Sequence, residues 1–176
     1  MISSLAPFVP SRPEVVKRML EVAHVGSDDV VFDLGCGDGR ILIMAVNDFG
    51  AKKAVGYEMR KDLYQRTLNE IIKQDLTDKI SVINGDVLEA DLTQATVITL
   101  YLTTSGNNRL SSKFKNEVKD GTRIVSHDFK ITGWYSAIKA KLDENFSPSI
   151  YLYVMPEAAT QKKGISSHFN NNHEQY

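Results

Sequence analysis

The amino-acid sequence predicts a doubly wound α/β domain, and two features of its 176 residues carry that prediction. Short apolar runs typical of buried strands alternate along the chain with segments whose apolar residues recur at helical spacing. The first of these strands leads directly into a glycine-rich turn, Asp33-Leu34-Gly35-Cys36-Gly37-Asp38-Gly39-Arg40, that opens a helix. Because strands joined by helices pair in parallel and are covered on both faces, we expect a mostly parallel, seven-stranded sheet.

The first helix is predicted over residues 12–23, where an apolar stripe lies along one side and Gly26 follows as a stop signal. Ser11 and Glu14 have the spacing of a capping box, which predicts that the Ser11 side chain caps this helix. Beyond it, the same patterns predict strands at 29–34, 53–58, 80–83, 95–102 and 122–126, and helices at 39–49, 60–74 and 107–118.

The end of the domain departs from this alternation. Residues 134–142 and 149–155 are separated by a polar, proline-containing stretch that is too short for a crossover helix, so they predict an antiparallel hairpin that closes the sheet. Residues 134–142 also fit a short amphipathic helix.

From 157 to 176 the sequence is mostly polar and cannot bury enough apolar surface to offset the entropy of ordering. We therefore expect a single domain over 1–156, followed by a disordered tail over 157–176.

Composition and charge argue against several functional classes. The net charge is −1, with 21 basic and 22 acidic residues, so the bulk electrostatic signature of a nucleic-acid-binding protein is missing. Residues 1–11 lack the basic and apolar regions of a signal peptide, and no apolar run approaches the roughly 20 residues that span a bilayer. Cys36 is the single cysteine and no Cys/His cluster accompanies it, so neither a disulfide nor a metal site is expected. We predict a cytoplasmic monomer that contacts neither membrane nor nucleic acid.

The glycine-rich turn follows the first strand, at the edge where an open parallel sheet binds its ligand. Its alternating glycines permit a tight turn and expose the N–H groups of the next helix. A dinucleotide fingerprint requires glycine at position 40, which is Arg40 here, and the chain has no phosphate loop of the G-x-x-x-x-G-K-[ST] type. Asp33 and Asp38 make the turn acidic, which favours a ligand with positive groups and no phosphate, namely S-adenosylmethionine.

Two further acids follow the next two strands. Glu58 ends the second strand, where a carboxylate can accept both ribose hydroxyls. Asp86 follows the third strand and is placed to accept the adenine amine, while Val87 meets the ring. The carboxyl ends of parallel strands meet at one edge of a sheet, so these groups should lie together. We therefore assign cofactor binding to Asp33, Gly35, Gly37, Gly39, Arg40, Glu58, Asp86 and Val87.

At the level of whole motifs, the sequence resembles the class I, seven-β-strand methyltransferases, which have a Rossmann-like sheet. The octet 33–40 is similar to their first cofactor motif, and Glu58 and Asp86 match the later ones. A narrower resemblance is to the archaeal broad-specificity protein lysine methyltransferase family and its mitochondrial relatives. It rests on Pro7-Phe8-Val9-Pro10-Ser11, Thr99-Leu100-Tyr101-Leu102, Val125-Ser126-His127-Asp128-Phe129 and Gly133-Trp134. The family pattern has threonine at position 11 and lacks the long tail.

The resemblance implies transfer of methyl groups from S-adenosylmethionine to exposed lysine ε-amines on many proteins, which would be the partners of this chain. An RNA or small-molecule methyltransferase of the same fold is the alternative, and a cofactor-binding protein without catalysis is a third. Enzymes that methylate planar base or amide nitrogens carry Asn/Asp-Pro-Pro-Tyr/Phe after the fourth strand. Leu100-Tyr101-Leu102-Thr103 stands at that place here.

A lysine substrate must lose a proton from an ammonium whose ordinary pKa is about 10.4, and desolvation in an apolar channel lowers that pKa. Tyr101 is expected to line such a channel, with Phe8 and Trp134 holding the lysine by cation–π contact. Trp134 equally fits a core position in the hairpin. His127 and Asp128 follow the fifth strand and form a candidate general base. In the alternative, Asp128 orders the loop and His127 is exposed.

Overall fold

The computed structural model describes residues 5–141 and 148–159. Its strands are β1 (Val30–Leu34), β2 (Lys53–Glu58), β3 (Ile80–Asn84), β4 (Val97–Leu100), β5 (Arg123–His127), β6 (Ile138–Ala140) and β7 (Ile150–Val154). Its α-helices are α1 (Pro13–Val22), α2 (Arg40–Asn47), α3 (Lys61–Lys73) and α4 (Thr104–Glu117). The strands form one sheet in the order β3-β2-β1-β4-β5-β7-β6, in which β1 to β5 are parallel. The predicted fold class is confirmed.

The central strands are buried because helices cover both faces of the sheet. Val31 and Val97 belong to a core that includes residues of α1 and α2, whereas Phe32 and Ile98 belong to a second core with residues of α4. Neighbouring positions of one strand therefore face opposite cores. This double burial explains why β1 and β4 are nearly continuous apolar runs in the sequence.

The sheet ends in the antiparallel hairpin that the sequence predicted. β7 pairs with β5 on one side and with β6 on the other, and Ile138 lies opposite Leu152. The alternative of a helix over 134–142 is wrong for residues 138–140, because β7 offers them an edge to pair with. Residue 142 lies outside the described residues.

The packed chain continues past β7 into a short 3-10 turn, Glu157–Ala159. Ala158 is only 3% exposed, and its carbonyl accepts a hydrogen bond of 2.9 Å from the Tyr135 backbone N–H. The packing therefore extends three residues beyond the boundary expected at 156. The rest of the expected tail, 160–176, lies outside the described residues.

The start of α1 differs from the predicted capping box. The helix begins at Pro13, whose fixed φ suits a first helical position, and its N-cap is Arg12, whose side chain makes no capping bond. Glu14 forms an ion pair with Arg12 at 3.3 Å. Ser11 lies one residue too early to cap, and its hydroxyl instead contacts His127 Nδ1 at 2.9 Å. The capping prediction was wrong because a contact 116 residues away in sequence takes the hydroxyl.

A buried polar network joins α1 to the N-terminal edge of the sheet. Asp29 accepts hydrogen bonds from the Thr96 hydroxyl at 2.7 Å and the Gly26 N–H at 2.9 Å, and it forms an ion pair with Arg123. Arg123 also donates to the Ala23 carbonyl at 2.6 Å, at the end of α1. Among the described helices, none has the length and apolar character needed to cross a membrane.

Candidate active site

A cavity lies beyond the carboxyl ends of β1, β2 and β4, under the N-terminal segment 5–11, which we call the strap. Most of the predicted cofactor residues line it, and the strap contributes its other wall. The predicted residues in the lining are Phe8, Asp33, Gly35, Gly37, Arg40, Glu58, Val87 and Tyr101. Gly39 and Asp86 are sequence neighbours of lining residues but do not themselves line the cavity.

The glycines of the turn have two different roles. Gly37 has a positive φ of 56°, and a Cβ there would lie 2.5 Å from the Phe8 ring, so glycine lets the strap approach the turn. Gly39 has a φ of 80°, and a Cβ there would lie 2.5 Å from the Thr67 methyl of α3. Thr67 also donates to the Gly37 carbonyl at 2.7 Å. Gly39 is therefore a packing position, whereas Gly37 faces the cavity.

Two buried carboxylates stand at the ends of β1 and β2. Asp33 is 3% exposed and accepts a hydrogen bond of 2.8 Å from the Thr99 hydroxyl. Burial, with a smaller contribution from Glu58, raises its pKa to about 7 although Thr99 opposes the shift. Glu58 is 8% exposed and accepts from the backbone N–H groups of Gly37 at 2.9 Å and Arg60 at 2.8 Å. Within the described residues neither acid forms a salt bridge.

Asp38 does not supply free charge to a ligand, contrary to the expectation from the acidic turn. Arg40 contacts both of its carboxylate oxygens, with Nε 2.9 Å from Oδ1 and Nη2 2.5 Å from Oδ2. Burial raises the pKa of Asp38, but the hydrogen bonds and charge of Arg40 outweigh it, so that the pKa lies below its ordinary value. Arg40 also donates to the Ser11 carbonyl at 2.6 Å. Its guanidinium therefore holds the strap against the turn.

The segment that follows β3 contributes one side chain to the cavity. Val87 is 7% exposed and lines it directly. Asp86 caps the 3-10 turn that begins at Val87, because its Oδ1 accepts from the Leu88 N–H at 2.9 Å. One carboxylate oxygen of Asp86 thus has a structural role in placing Val87.

A second cavity adjoins the first on the side of β5. It is lined by Val9, Pro10, Ser11, Arg12, Val15, Tyr101, His127, Asp128 and Pro148. Tyr101 and strap residues 9–11 line both cavities, so they form the boundary between them. The Tyr101 ring stacks on His127 with centroids 3.8 Å apart and lies 6.3 Å from the Phe129 ring.

His127 is buried, so the expectation that it is exposed was wrong. It is 4% exposed, with Nδ1 on the Ser11 hydroxyl and Nε2 3.5 Å from Asp128 Oδ2. Burial lowers its pKa, and the nearby Asp128 only partly offsets this, so the imidazole is neutral at pH 7. Asp128 orders the loop, because its N–H and Oδ1 both bond to the Ser149 backbone, at 2.7 and 2.9 Å. The Ser11 contact was missed by the sequence analysis.

Trp134 does not line either cavity, and its assignment to the substrate channel was wrong. Its ring packs edge-on against Phe114 of α4 and Tyr153 of β7, at centroid distances of 6.2 and 6.0 Å. Lys115 lies 5.9 Å above the ring. Trp134 belongs to the core under α4, as its alternative interpretation held.

Among the described residues, no group of three or more His, Cys, Asp or Glu is arranged to hold a metal ion.

An open sheet with this strand order, a glycine-rich turn after β1 and buried acids at the carboxyl ends of β1 and β2 together define a class I methyltransferase. Residues 33–138 match the ANTKMT methyltransferase domain. The chain is 45% identical over 152 residues to a protein-lysine N-methyltransferase of Saccharolobus islandicus (strain REY15A), covering 86% of this chain and 94% of that protein. It therefore belongs to the ANTKMT methyltransferase domain family, and the family resemblance seen in the sequence is confirmed.

Two other relatives are informative. The structure of an RNA methyltransferase from Salinibacter ruber in complex with S-adenosyl-L-homocysteine superposes with a TM-score of 0.80 at 38% identity, covering 85% of this chain and 95% of that one. Adenine nucleotide translocase lysine N-methyltransferase of Mus musculus is 26% identical over 128 residues, which is 73% of this chain but 55% of the mouse protein. The chain is a methyltransferase, and its cofactor is S-adenosylmethionine.

Proposed function

We propose that this protein transfers methyl groups from S-adenosylmethionine to the ε-amines of exposed lysines on many proteins. The observation that carries the proposal is the pair of cavities that meet at Tyr101. One cavity has the buried acids of a cofactor site, and the other opens beside an aromatic wall. A long, thin side chain that enters the second cavity would reach the boundary of the first, where methyl transfer must occur.

The residues of the first cavity fit the cofactor. Asp33 is a buried acid without a cationic partner among the described residues, which suits the ammonium group of the methionine part. Glu58 is held by two backbone N–H groups at the end of β2, where it would accept the ribose hydroxyls. Val87 would contact the adenine, with Asp86 beside it. When bound, the cofactor supplies a sulfonium methyl group: the amine forms the new C–N bond as the C–S bond breaks, and the electron pair stays on sulfur.

The second cavity suits a lysine for two reasons. One wall, formed by Val9, Pro10 and Tyr101, is apolar, and an amine packed against it would lose part of its hydration, which lowers the pKa of the amine and favours the nucleophilic form. The Tyr101 ring also offers a face for cation–π contact while the amine is still charged. Phe8 closes the strap over the turn beside this point. Of the three aromatic residues assigned to the channel, Tyr101 and Phe8 remain in the proposal.

RNA methylation is the second candidate, since the Salinibacter ruber protein, which is 38% identical to this chain, is an RNA methyltransferase. The net charge of −1 gives little attraction for phosphates. Residues 100–103, Leu-Tyr-Leu-Thr, also lack the prolines of enzymes that methylate planar nitrogens. Both features favour protein as the substrate.

The deciding experiment offers the protein a mixture of cellular proteins and total RNA with cofactor labelled in the methyl group. We expect label in protein, located on lysines by mass spectrometry. Label confined to RNA would replace the proposal with the second candidate.

Tyr101→Ala should lower the rate on a lysine-rich protein by about 100-fold while cofactor Kd changes little, because positioning and desolvation are lost. Tyr135→Ala is the matched control, since that ring is 81% exposed and outside both cavities.

Two further properties belong to the proposal, namely that the protein acts as a monomer and that it acts in the cytoplasm. Cys36 is a buried free thiol, which suits a reducing compartment. Its sulfur packs against Gly56, where an added Cβ would lie only 2.6 Å away. Light scattering after size-exclusion chromatography should give the mass of one chain. A concentration-independent dimer would contradict the monomer.

A further inference from the structure

We propose that Ser11 is a catalytic residue that passes the proton of the substrate ammonium to His127, with Asp128 stabilising the imidazolium. The proposal rests on the lysine methyltransferase function given above. Ser11 is 5% exposed and lines both cavities, so it lies at the boundary where the proposed function brings the substrate amine to the cofactor. Its hydroxyl is 2.9 Å from His127 Nδ1, and His127 Nε2 is 3.5 Å from Asp128. The three side chains form a continuous polar path from the boundary between the cavities to the surface.

The charges around His127 determine the direction of the hydrogen bonds. Asp128 faces Nε2 and favours the tautomer with the proton on that nitrogen, so that Nδ1 is left as an acceptor for the Ser11 O–H. The other groups that face the ring are Tyr101, which stacks on it, and Arg12, whose positive charge disfavours protonation. Because the ring is neutral, it has a free lone pair for a proton. The Ser11 oxygen keeps its own lone pairs for an ammonium donor.

The backbone holds Ser11 in place from the cofactor side. Arg40 donates to the Ser11 carbonyl at 2.6 Å while it also binds Asp38 of the glycine-rich turn. The other end of the strap is fixed by the Thr103 hydroxyl, which donates to the Leu5 carbonyl at 3.0 Å. Ser11 therefore has its position without needing its hydroxyl as an anchor. The hydroxyl is therefore available for proton transfer along its contact with His127.

A proton moves from the lysine ammonium to Ser11 Oγ as the Ser11 proton moves to His127 Nδ1, which leaves a neutral amine, an unchanged serine and an imidazolium. The amine then takes the methyl group and becomes a methylammonium. The imidazolium releases its proton to water beside Asp128, whose side chain is 38% exposed. No oxidant, reductant or metal is needed.

The test is the dependence of kcat on pH for lysine methylation, measured from pH 6.5 to 9.5 at saturating cofactor. With the relay, the wild-type rate should be nearly flat above pH 7. Ser11→Ala should lose about 100-fold at pH 7 and then recover about tenfold per pH unit as the free amine becomes available. His127→Gln should show the same slope, and the double variant should be no worse than either single one. Ser11→Thr keeps the hydroxyl and should keep the flat profile.

Two controls separate chemistry from structure. Thr103→Val removes both the anchor at the far end of the strap and the N-cap of α4 without touching the relay, so any loss should be the same at every pH. Imidazole nitrogen shifts, measured by NMR without cofactor, should report proton on Nε2 of His127 in the wild type. A Ser11→Ala loss that is equal at all pH values, or no loss, would overturn the relay while leaving lysine methylation in place. Absence of lysine methylation by the wild type would overturn the proposed function instead.

Discussion

Two aspartates four residues apart, at opposite ends of β1, are both buried but have opposite surroundings. Asp29, 7% exposed at the N-terminal edge of the sheet, has an ion-pair partner in Arg123 and two hydrogen-bond donors. Asp33, 3% exposed at the carboxyl edge, has one neutral donor in Thr99 and a second acid, Glu58, nearby. The first is satisfied by the protein, whereas the second has no cationic partner among the described residues.

We propose that this difference divides stability from function, with Asp29 stabilising the fold and Asp33 binding the cofactor. An uncompensated buried charge costs free energy, and Asp33 reduces that cost by holding its proton up to about pH 7. Such perturbed acids cluster at functional sites, where a ligand supplies the missing partner. At the other edge, the charge of Asp29 helps to fix α1 to the sheet through Arg123 and the Ala23 carbonyl.

The largest expected effect comes from breaking the satisfied acid. Asp29→Asn leaves Arg123 without its anionic partner in a mostly buried setting, which should lower the free energy of unfolding by about 3 kcal/mol. Urea denaturation measures this change. Cofactor Kd should stay within about twofold, because the site lies at the opposite edge. If Asp29→Asn weakened cofactor binding without lowering the free energy of unfolding, the proposed division between stability and function would be contradicted.

The complementary change, Asp33→Asn, should act on binding. Loss of a charged partner for the ammonium costs about 1.5–3 kcal/mol, which corresponds to roughly a 10- to 100-fold rise in cofactor Kd. Titration calorimetry measures it. The free energy of unfolding of the cofactor-free protein should not fall at pH 7.5, because the variant removes a buried charge with no cationic partner. Equal affinity in variant and wild type would show that Asp33 does not hold the cofactor.

The sequence was sufficient for the features that depend on local pattern. Buried strands, the glycine-rich turn and the acids at the carboxyl ends of β1 and β2 follow from residue spacing, and the parallel sheet brings Asp33 and Glu58 to one cavity. Whether a residue beyond the end of a strand packs into the core or lines a cavity does not depend on local sequence alone. Trp134 packs on Phe114 because of how the hairpin returns to β5, and no spacing rule predicts that contact.

The same limit applies to partners that are distant in sequence or compete locally. Ser11 and Glu14 have correct capping-box spacing, yet Ser11 contacts His127, whose burial depends on the strap lying over β5. Asp38 was expected to face the ligand, but Arg40, two residues on, neutralises it. Side-chain pairing within a turn depends on backbone φ values that residue types alone do not determine.

A pH series sharpens the contrast between the two acids. The pKa of Asp33 is raised in the folded protein, so its contribution to stability is present below about pH 4 and is lost as pH rises through about 7. The melting temperature of the cofactor-free wild type, relative to Asp33→Asn, should therefore fall between pH 4 and 7.5. Cofactor affinity should change in the other direction and rise by up to about tenfold per pH unit from 5.5 to 7, because the ammonium prefers the ionised acid.

Calorimetry in two buffers with different ionisation enthalpies provides the independent check. Binding at pH 6 should release close to one proton in the wild type and none from this position in Asp33→Asn. Proton release that is the same in both proteins would assign the titration to another group. A pH-independent affinity would contradict the raised pKa.

The smallest effect is expected from removing residues 160–176. Both edges of the sheet find all the partners described above within residues 5–159, and the last described packing contacts are those of Ala158 and Ala159. A chain that ends at Ala159 should keep its melting temperature to within about 2 °C and its cofactor Kd to within about twofold. A chain that ends at Met155 loses Ala158 and its bond to Tyr135, so its melting temperature should fall while cofactor Kd stays the same. If the longer chain also lost affinity, the tail would contribute to the cofactor site, and the carboxyl edge would no longer be complete within the domain.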